Sequence, residues 1–163
     1  MGTRTLPCVA GLVFFSQSTT VYAETGDREE ILTVMDRAFA AVRSNIANDW
    51  RAIQLAEGTT LSFRPGPAER PEELEMRISK NEDFVADLMP DGHEYVERWT
   101  GEPTILIRGP IAVIWGEYEF WIDGEFSHCG VDSADLVKID GEWKVANFMW
   151  TVEKEDCPTA PSR

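Results

Sequence analysis

Basic residues are scarce in this sequence. Its 163 residues include 15 lysines and arginines against 29 aspartates and glutamates. A nucleic-acid-binding protein needs a basic surface that neutralises phosphates, so this balance argues against a nucleic acid as partner. The acidic excess favours solubility and mutual repulsion, but it identifies neither a fold nor a reaction.

Cysteine and histidine are also rare. The two histidines, His93 and His128, belong to no CxxC pair or Cys/His cluster, so we predict no metal site and no cofactor. Of the three cysteines, Cys8 lies in the apolar N-terminal segment. Cys129 and Cys157 would remain if that segment were removed, and the sequence leaves open whether they form a disulfide or stay as free thiols.

Apolar runs long enough to span a bilayer are missing. The run from Leu6 to Phe15 is too short for that, but it has the length of the apolar part of a signal peptide. Arg4 precedes it, and the small-residue pattern Val21-Tyr22-Ala23 follows it. The alternative is a buried N-terminal strand. We expect cleavage after Ala23 and a secreted or periplasmic protein that has no membrane contact afterwards.

The rest of the chain shows no repeat and no domain-sized linker. We therefore expect residues 1–23 to be a signal peptide, residues 24–156 one folded domain and residues 157–163 a flexible tail.

Helical patterns dominate the first half of this domain. Residues 27–47 carry apolar side chains at three- and four-residue spacing, which is typical of an amphipathic helix. We predict a second, short helix from about residue 48 to Gly58, a strand over residues 59–63 and a third helix from Pro71 to Leu88.

Strand patterns follow Gly92, with a break near Gly101 and Pro103. Two-residue hairpin turns are predicted at Asp123-Gly124 and at Asp140-Gly141, because such turns need positive φ angles. Helices followed by antiparallel strands indicate an α+β fold: N-terminal helices packed on one face of a strongly curved antiparallel sheet, giving a cone.

The two hairpins also predict a register. If each Asp-Gly pair forms the whole loop, Glu119 lies opposite His128 and Asp132 lies opposite Met149. Side chains alternate along a strand, so one face collects an apolar floor at one end and a polar cluster at the other. The predicted site residues on this inner face are Trp115, Glu117, Glu119, His128, Asp132, Asn147 and Met149.

These residues predict a pocket with an apolar floor and polar groups at one end. We expect His128 and Asp132 to be catalytic, flanking a ligand while one gives and the other takes a proton. Glu119 would raise the pKa of His128 by stabilising its charged form. The ligand-binding residues would be Trp115, Glu117, Glu119, Asn147 and Met149. The alternative is a solvated polar rim.

The opposite face of the predicted sheet is apolar. It collects Val131, Phe148 and Trp150, and such a face is rarely left bare. We therefore expect a homodimer formed through this face.

Two segments resemble the nuclear transport factor 2-like (SnoaL-like) superfamily. The ending VDSADLVKIDGEWKVANFMWTVE, with Gly141, Trp143 and Lys144, is similar to the ending of many members, and AVRSNIANDWRAI resembles their opening. The resemblance covers roughly residues 27–153. It implies the cone fold and a ligand site between sheet and helices, in a superfamily that includes ketosteroid-isomerase-like and dehydratase-like enzymes, polyketide cyclases and binding proteins.

The resemblance leaves the reaction open. His128 and Asp132 resemble the His/Asp pair of dehydratase-like members. The ketosteroid-isomerase-like pattern requires a tyrosine on the inner face, and none is predicted there. We expect an exported protein that binds a hydrophobic small molecule, with isomerase- or dehydratase-like proton transfer as its candidate activity. The alternative is a non-catalytic dimeric interaction domain whose cone is filled by side chains.

Overall fold

The computed structural model describes residues 19–67, 69–70, 73–86, 88–155 and 157, and for residues 19–25 only the backbone. Residues 1–18 of the predicted signal peptide and residues 158–163 of the predicted tail therefore lie outside the described part of the chain.

The described residues form three helices and one seven-stranded sheet. The helices are α1 (Thr19–Ser44), α2 (Ala47–Arg51) and α3 (Asn81–Ala86). None of the described helices is long and apolar enough to cross a membrane. The strands are β1 (Gln54–Pro65), β2 (Leu74–Lys80), β3 (Tyr95–Trp99), β4 (Thr104–Arg108), β5 (Ile111–Ile122), β6 (Glu125–Ile139) and β7 (Glu142–Thr151).

The sheet has the order β2-β1-β7-β6-β5-β3, and β4 also pairs with β5. The strand pairs are antiparallel except for β1 and β7, which run parallel. The α+β fold with helices on a large curved sheet is confirmed, and this one parallel pair departs from the expected antiparallel arrangement.

The apolar stripe of α1 packs on one face of this sheet, which we call the inner face. Ile31 and Met35 of α1 are fully buried against a cluster that includes Ile114, Leu136 and Val145 from the three central strands. Burying a large aliphatic side chain stabilises the folded chain by about 1.5–3 kcal/mol.

Hydrogen bonds also hold α1 against the sheet near Asp27. Asp27 accepts a hydrogen bond from Lys138 Nζ at 2.6 Å and another from Trp143 Nε1 at 3.2 Å. These bonds tie the first part of α1 to β6 and β7.

Two predicted helices were only partly correct. Of the predicted third helix, residues 81–86 are helical as α3, but residues 74–80 form the strand β2. This strand pairs with β1 in a hairpin whose loop end is closed by a hydrogen bond from Gly66 N to Glu73 O. The apolar residues Leu74, Met76 and Ile78 recur at every second position, which is the period of a strand.

The predicted second helix is also shorter than expected. It ends at Arg51, and Gly58 lies in β1, where a Cβ atom would come within 1.7 Å of the Ala146 carbonyl oxygen. This glycine therefore permits the close approach of two strands and does not end a helix.

Both predicted Asp-Gly turns are confirmed. The φ angles are 52° at Asp123, 79° at Gly124, 51° at Asp140 and 86° at Gly141, all in the left-handed region that such turns require.

A bulge in β6 changes the register predicted from the first turn. Trp121 lies opposite Phe126, but the next pair is Phe120 with His128, so Ser127 is an extra residue on β6. Beyond this bulge each β5 residue faces the side opposite to the predicted one, because a shift of one residue exchanges the two faces.

A second bulge lies in β7. Leu136 pairs with Val145 as predicted, but Asp135 pairs with Asn147, so Ala146 is the extra residue. The first part of β7 therefore faces the helices as predicted, and the second part is inverted.

Candidate functional site

A cavity of about 460 Å³ opens between the inner face of the sheet and the helices. Its volume lies within the range of about 300–1,000 Å³ that is usual for small-molecule sites. Most of its wall is apolar, from Val42 and Leu88 on the helical side to Phe120, Phe148 and Trp150 on the sheet side. The polar or charged side chains on the wall are those of Asn45, Arg64, Tyr95, Glu97, Tyr118, His128 and Lys154.

Three of the lining residues form one row across neighbouring strands. Glu97 of β3 lies opposite Phe120 of β5, and Phe120 lies opposite His128 of β6. The imidazole of His128 stacks on the ring of Phe120, with 4.7 Å between centroids and 19° between planes. The bulge in β6 creates this row, because it brings Phe120 to the position that the unbulged register assigned to Glu119.

Glycines on β5 and β6 make room for the next layer of the wall. Gly130, opposite Tyr118, leaves space on the inner face, and a Cβ atom there would lie 2.1 Å from the Thr151 carbonyl oxygen. The Tyr118 hydroxyl donates a hydrogen bond to that same oxygen at 2.7 Å. Gly116, opposite Asp132, similarly accommodates the ring of Trp99.

Two carboxyl groups, those of Glu97 and Asp132, meet beneath this wall. Glu97 lines the cavity with 9% of its surface exposed, whereas Asp132 is fully buried below it. Each carboxyl group can serve as the other's hydrogen-bond partner when one of the two is protonated. If both were ionised the pair would have no donor, and the Asp132 oxygens have no other hydrogen-bond donor among the described residues. The pair must therefore hold a proton.

Burial controls the acidity of this pair. It raises the pKa of Glu97 to about 7, an effect that the hydrogen bond with Asp132 partly offsets. Burial, and then the charge of Glu97, raise the pKa of Asp132 well above its usual range. Burial of both carboxyl groups therefore keeps a proton on the pair near neutral pH, and Glu97 is the member that lies at the cavity wall.

His128 is neutral in this environment. Burial, followed by the positive charges of Lys154 and Arg64, lowers the pKa of His128 to about 4. Its Nδ1 atom lies 3.0 Å from the Ser127 hydroxyl oxygen. The predicted rise in the pKa of His128 was wrong, because Glu119 lies on the outer face of the sheet, where it is ion-paired with Arg98.

Arg64 and Lys154 supply positive charge to the cavity. Arg64 is half-buried at the end of β1, and Lys154 is exposed just beyond β7. Two backbone hydrogen bonds between Cys129 and Glu153, of 3.0 and 2.8 Å, hold the segment containing Lys154 against β6. A disulfide between Cys129 and Cys157, with 5.7 Å between their Cα atoms, ties it down further.

Only part of the predicted site faces the cavity. His128 lines it, whereas Asp132, on the same face of β6, is fully buried and does not line the cavity as predicted. The positions predicted for the other five site residues were wrong, because the two bulges turn them to the outer face. These residues are Trp115, Glu117, Glu119, Asn147 and Met149.

Their contacts agree with this placement. Trp115 and Met149 are 46% and 44% exposed. Asn147 accepts a hydrogen bond from Thr59 N and donates one to Asp135, so its amide holds neighbouring strands together.

The second bulge brings two of the three residues expected on the dimer face, Phe148 and Trp150, into the cavity, whereas Val131 stays on the outer face. Tyr118 and Tyr95 also line the cavity, although no tyrosine was predicted there. The missed acid, Glu97, had one available signal: Tyr95, Glu97 and Trp99 alternate along β3 and so share a face. No group of three His, Cys, Asp or Glu side chains in the described part of the chain is placed to hold a metal ion.

Solved structures with this architecture are numerous, with 186 matching chains. A nuclear transport factor 2 (NTF2-like) superfamily protein from Salmonella enterica superposes with a TM-score of 0.62 at 14% identity, over 85% of this chain and 99% of that one. An NTF2-like protein from Novosphingobium aromaticivorans gives 0.61 at 15% identity, over 90% and 96%. An NTF2-like protein of unknown function from Shewanella baltica gives 0.55 at 12% identity, over 80% and 97%.

Neither a protein-family model nor a curated protein matches the sequence. The structural matches show that the chain has the nuclear transport factor 2-like fold, as its sequence resemblance implied. At these identities the likeness establishes the fold alone, so the function has to be argued from the cavity.

Proposed function

We propose that the protein binds a hydrophobic small molecule in its cavity and transfers a proton to or from it through Glu97. The observation that carries this proposal is the buried Glu97–Asp132 pair at the wall of an otherwise apolar cavity of about 460 Å³. A strongly perturbed acid in a concave apolar site is the arrangement expected of a general acid or base.

Each member of the pair has a distinct part in this chemistry. With a pKa of about 7, Glu97 can take a proton from a carbon acid next to a carbonyl group, or return one, without a large energetic penalty. Asp132 is a positioning residue: its proton can stabilise the Glu97 carboxylate after Glu97 has given up its own. His128, which is neutral, can hydrogen-bond to a ligand carbonyl. This is the isomerase- or dehydratase-like reaction class expected from the sequence.

The alternative function, an interaction domain with a filled cone, has less support. Trp115 and Met149, two of the side chains that would have filled the cone, lie on the outer face of the sheet.

Binding is tested with N-phenyl-1-naphthylamine, a neutral probe whose fluorescence rises in an apolar site. We expect saturable binding to the wild type and a loss of at least about tenfold in affinity for Leu88→Trp, because the added ring occupies the cavity. Leu106→Trp is the matched control, since Leu106 is 66% exposed on β4. The proposal fails if the wild type does not bind the probe, or if Leu88→Trp binds it as tightly as the control does.

We also propose that the outer face of the sheet forms a homodimer. Ser133 pairs with Trp115 on one neighbouring strand and with Met149 on the other, and Met149 in turn pairs with Leu61. These four residues therefore form a row across four adjacent strands. The two exposed apolar side chains of this row, Trp115 and Met149, support an interface in which the same patch of two copies meets across a twofold axis.

Export is the third proposal. A disulfide between Cys129 and Cys157 supports folding in an oxidising compartment. N-terminal sequencing of the protein recovered from its native host should begin near Glu24, and recovery of the uncleaved chain from the cytosol would contradict export.

A further inference from the structure

We infer that the molecule bound in the cavity is an apolar monocarboxylate whose anionic group binds between Arg64 and Lys154. The inference rests on the proposed function, since it specifies the ligand of the same cavity.

Arg64 has a donor that its own surroundings leave unused. Its Nε atom is buried and has no hydrogen-bond acceptor among the described residues. Its Nη2 atom reaches only the Ser62 hydroxyl, at the long distance of 3.4 Å. A guanidinium with a free, buried donor is suited to a planar anion, because a carboxylate accepts two parallel hydrogen bonds from it.

Lys154 adds a second cation to the same part of the wall. Cys129 pairs with Glu153, and continuing this antiparallel pairing by one residue places Lys154 opposite His128. Neither Lys154 nor Arg64 forms an ion pair with a carboxylate within 4.0 Å in the described ranges. In a chain with 29 acidic residues against 15 basic ones, two such cations at one cavity favour an anionic ligand.

The environment of His128 supports this placement. Arg64, Lys154 and His128 all line the same cavity. Burial, to which the two cations add, keeps the imidazole neutral and able to donate a hydrogen bond to an anion.

Glu97 lies across the sheet from these cations. It pairs with Phe120, which pairs with His128, and the segment containing Lys154 pairs with β6 on the far side of His128. Lys154 is exposed and Arg64 is half-buried, whereas Glu97 is buried, so the cations lie nearer to solvent. The ligand is therefore oriented with its carboxylate at the rim and its apolar part toward Glu97.

The test uses two ligands of nearly equal shape, 1-naphthaleneacetate and its neutral amide, 1-naphthaleneacetamide. Each displaces N-phenyl-1-naphthylamine from the wild type and from Arg64→Gln, Lys154→Gln and the double variant. We expect the carboxylate to bind the wild type about tenfold more tightly than the amide, and the double variant to lose this preference. Arg108→Gln is the control, because Arg108 is an exposed cation at the end of β4.

The outcomes separate the two proposals. If the wild type binds the neutral probe but does not prefer the carboxylate, the inference is overturned and the proposed function stands. If the wild type does not bind the neutral probe, the proposed function fails and the inference fails with it. A preference that survives in the double variant overturns the assignment to Arg64 and Lys154. If Arg64→Gln does not fold, Lys154→Gln decides, because an unchanged preference in that exposed variant contradicts the inference.

Discussion

Replacing Glu97 with glutamine should change how the stability of the protein depends on pH. Glu97 has an ordinary pKa of 4.5 in the unfolded chain and a pKa of about 7 in the folded one, where burial disfavours its charged form. Below pH 4.5 the side chain is protonated in both states and adds no pH dependence. Between these two values only the unfolded chain ionises, so the wild type loses stability as the pH rises.

The size of this loss follows from the two values. Their difference, at about 1.4 kcal/mol per pH unit, gives a penalty of about 3 kcal/mol that is complete once the pH exceeds about 7. Glutamine has nearly the same shape and does not ionise. The free energy of unfolding of Glu97→Gln, minus that of the wild type, should therefore rise by about 3 kcal/mol from pH 4 to pH 8.

Urea unfolding at a series of pH values, with the disulfide intact, measures this difference directly. Glu117→Gln is the matched control, because it removes one negative charge from the exposed outer face of the same sheet. A difference between Glu97→Gln and the wild type that stays constant across the pH range would refute the assignment of a raised pKa to Glu97, and with it the proposed role of that carboxyl group.

Three further predictions concern the frame of the site. Cys157→Ser should lower the free energy of unfolding by about 3–4 kcal/mol, since the disulfide with Cys129 spans a separation of 28 residues; the idea fails if the urea midpoint is unchanged. Gly130→Ala should cost about 1–3 kcal/mol, because its methyl group would collide with the Thr151 backbone, and an unaltered melting temperature would argue against that contact. Trp115→Glu should convert the proposed dimer to monomers in light scattering, which a monomeric wild type would rule out.

The order of elements and the hairpins could be predicted because their causes are local. The turns at Asp123-Gly124 and Asp140-Gly141 need positive φ angles, and the sequence places the residues that tolerate them there. The amphipathic pattern over residues 27–47 likewise reports the side of the helix that packs on the sheet.

The site could not be predicted to the same depth, because its geometry depends on two bulges. Ser127 and Ala146 are the extra residues, and nothing in their immediate sequence distinguishes them from ordinary strand positions. Each is required by packing elsewhere: the first bulge aligns Phe120 with His128, and the second turns Phe148 into the core. A shift of one residue exchanges the two faces of a strand. The local patterns therefore predicted these strands correctly but assigned the residues beyond each bulge to the wrong face of the sheet.

The position of β7 in the sheet has a consequence for how the protein is made. β7 lies between β1 and β6, so in the described sheet it alone joins the β1–β2 hairpin to the remaining strands. It is also the last of the described strands in sequence, and it supplies Trp143 and Val145 to the core beneath α1. Until residues 142–151 have been synthesised, the β1–β2 hairpin has no neighbouring strand, and α1 has only part of the sheet to pack on. The described sheet can therefore be completed only after residues 142–151 have been synthesised, through contacts between segments far apart in sequence, which form slowly.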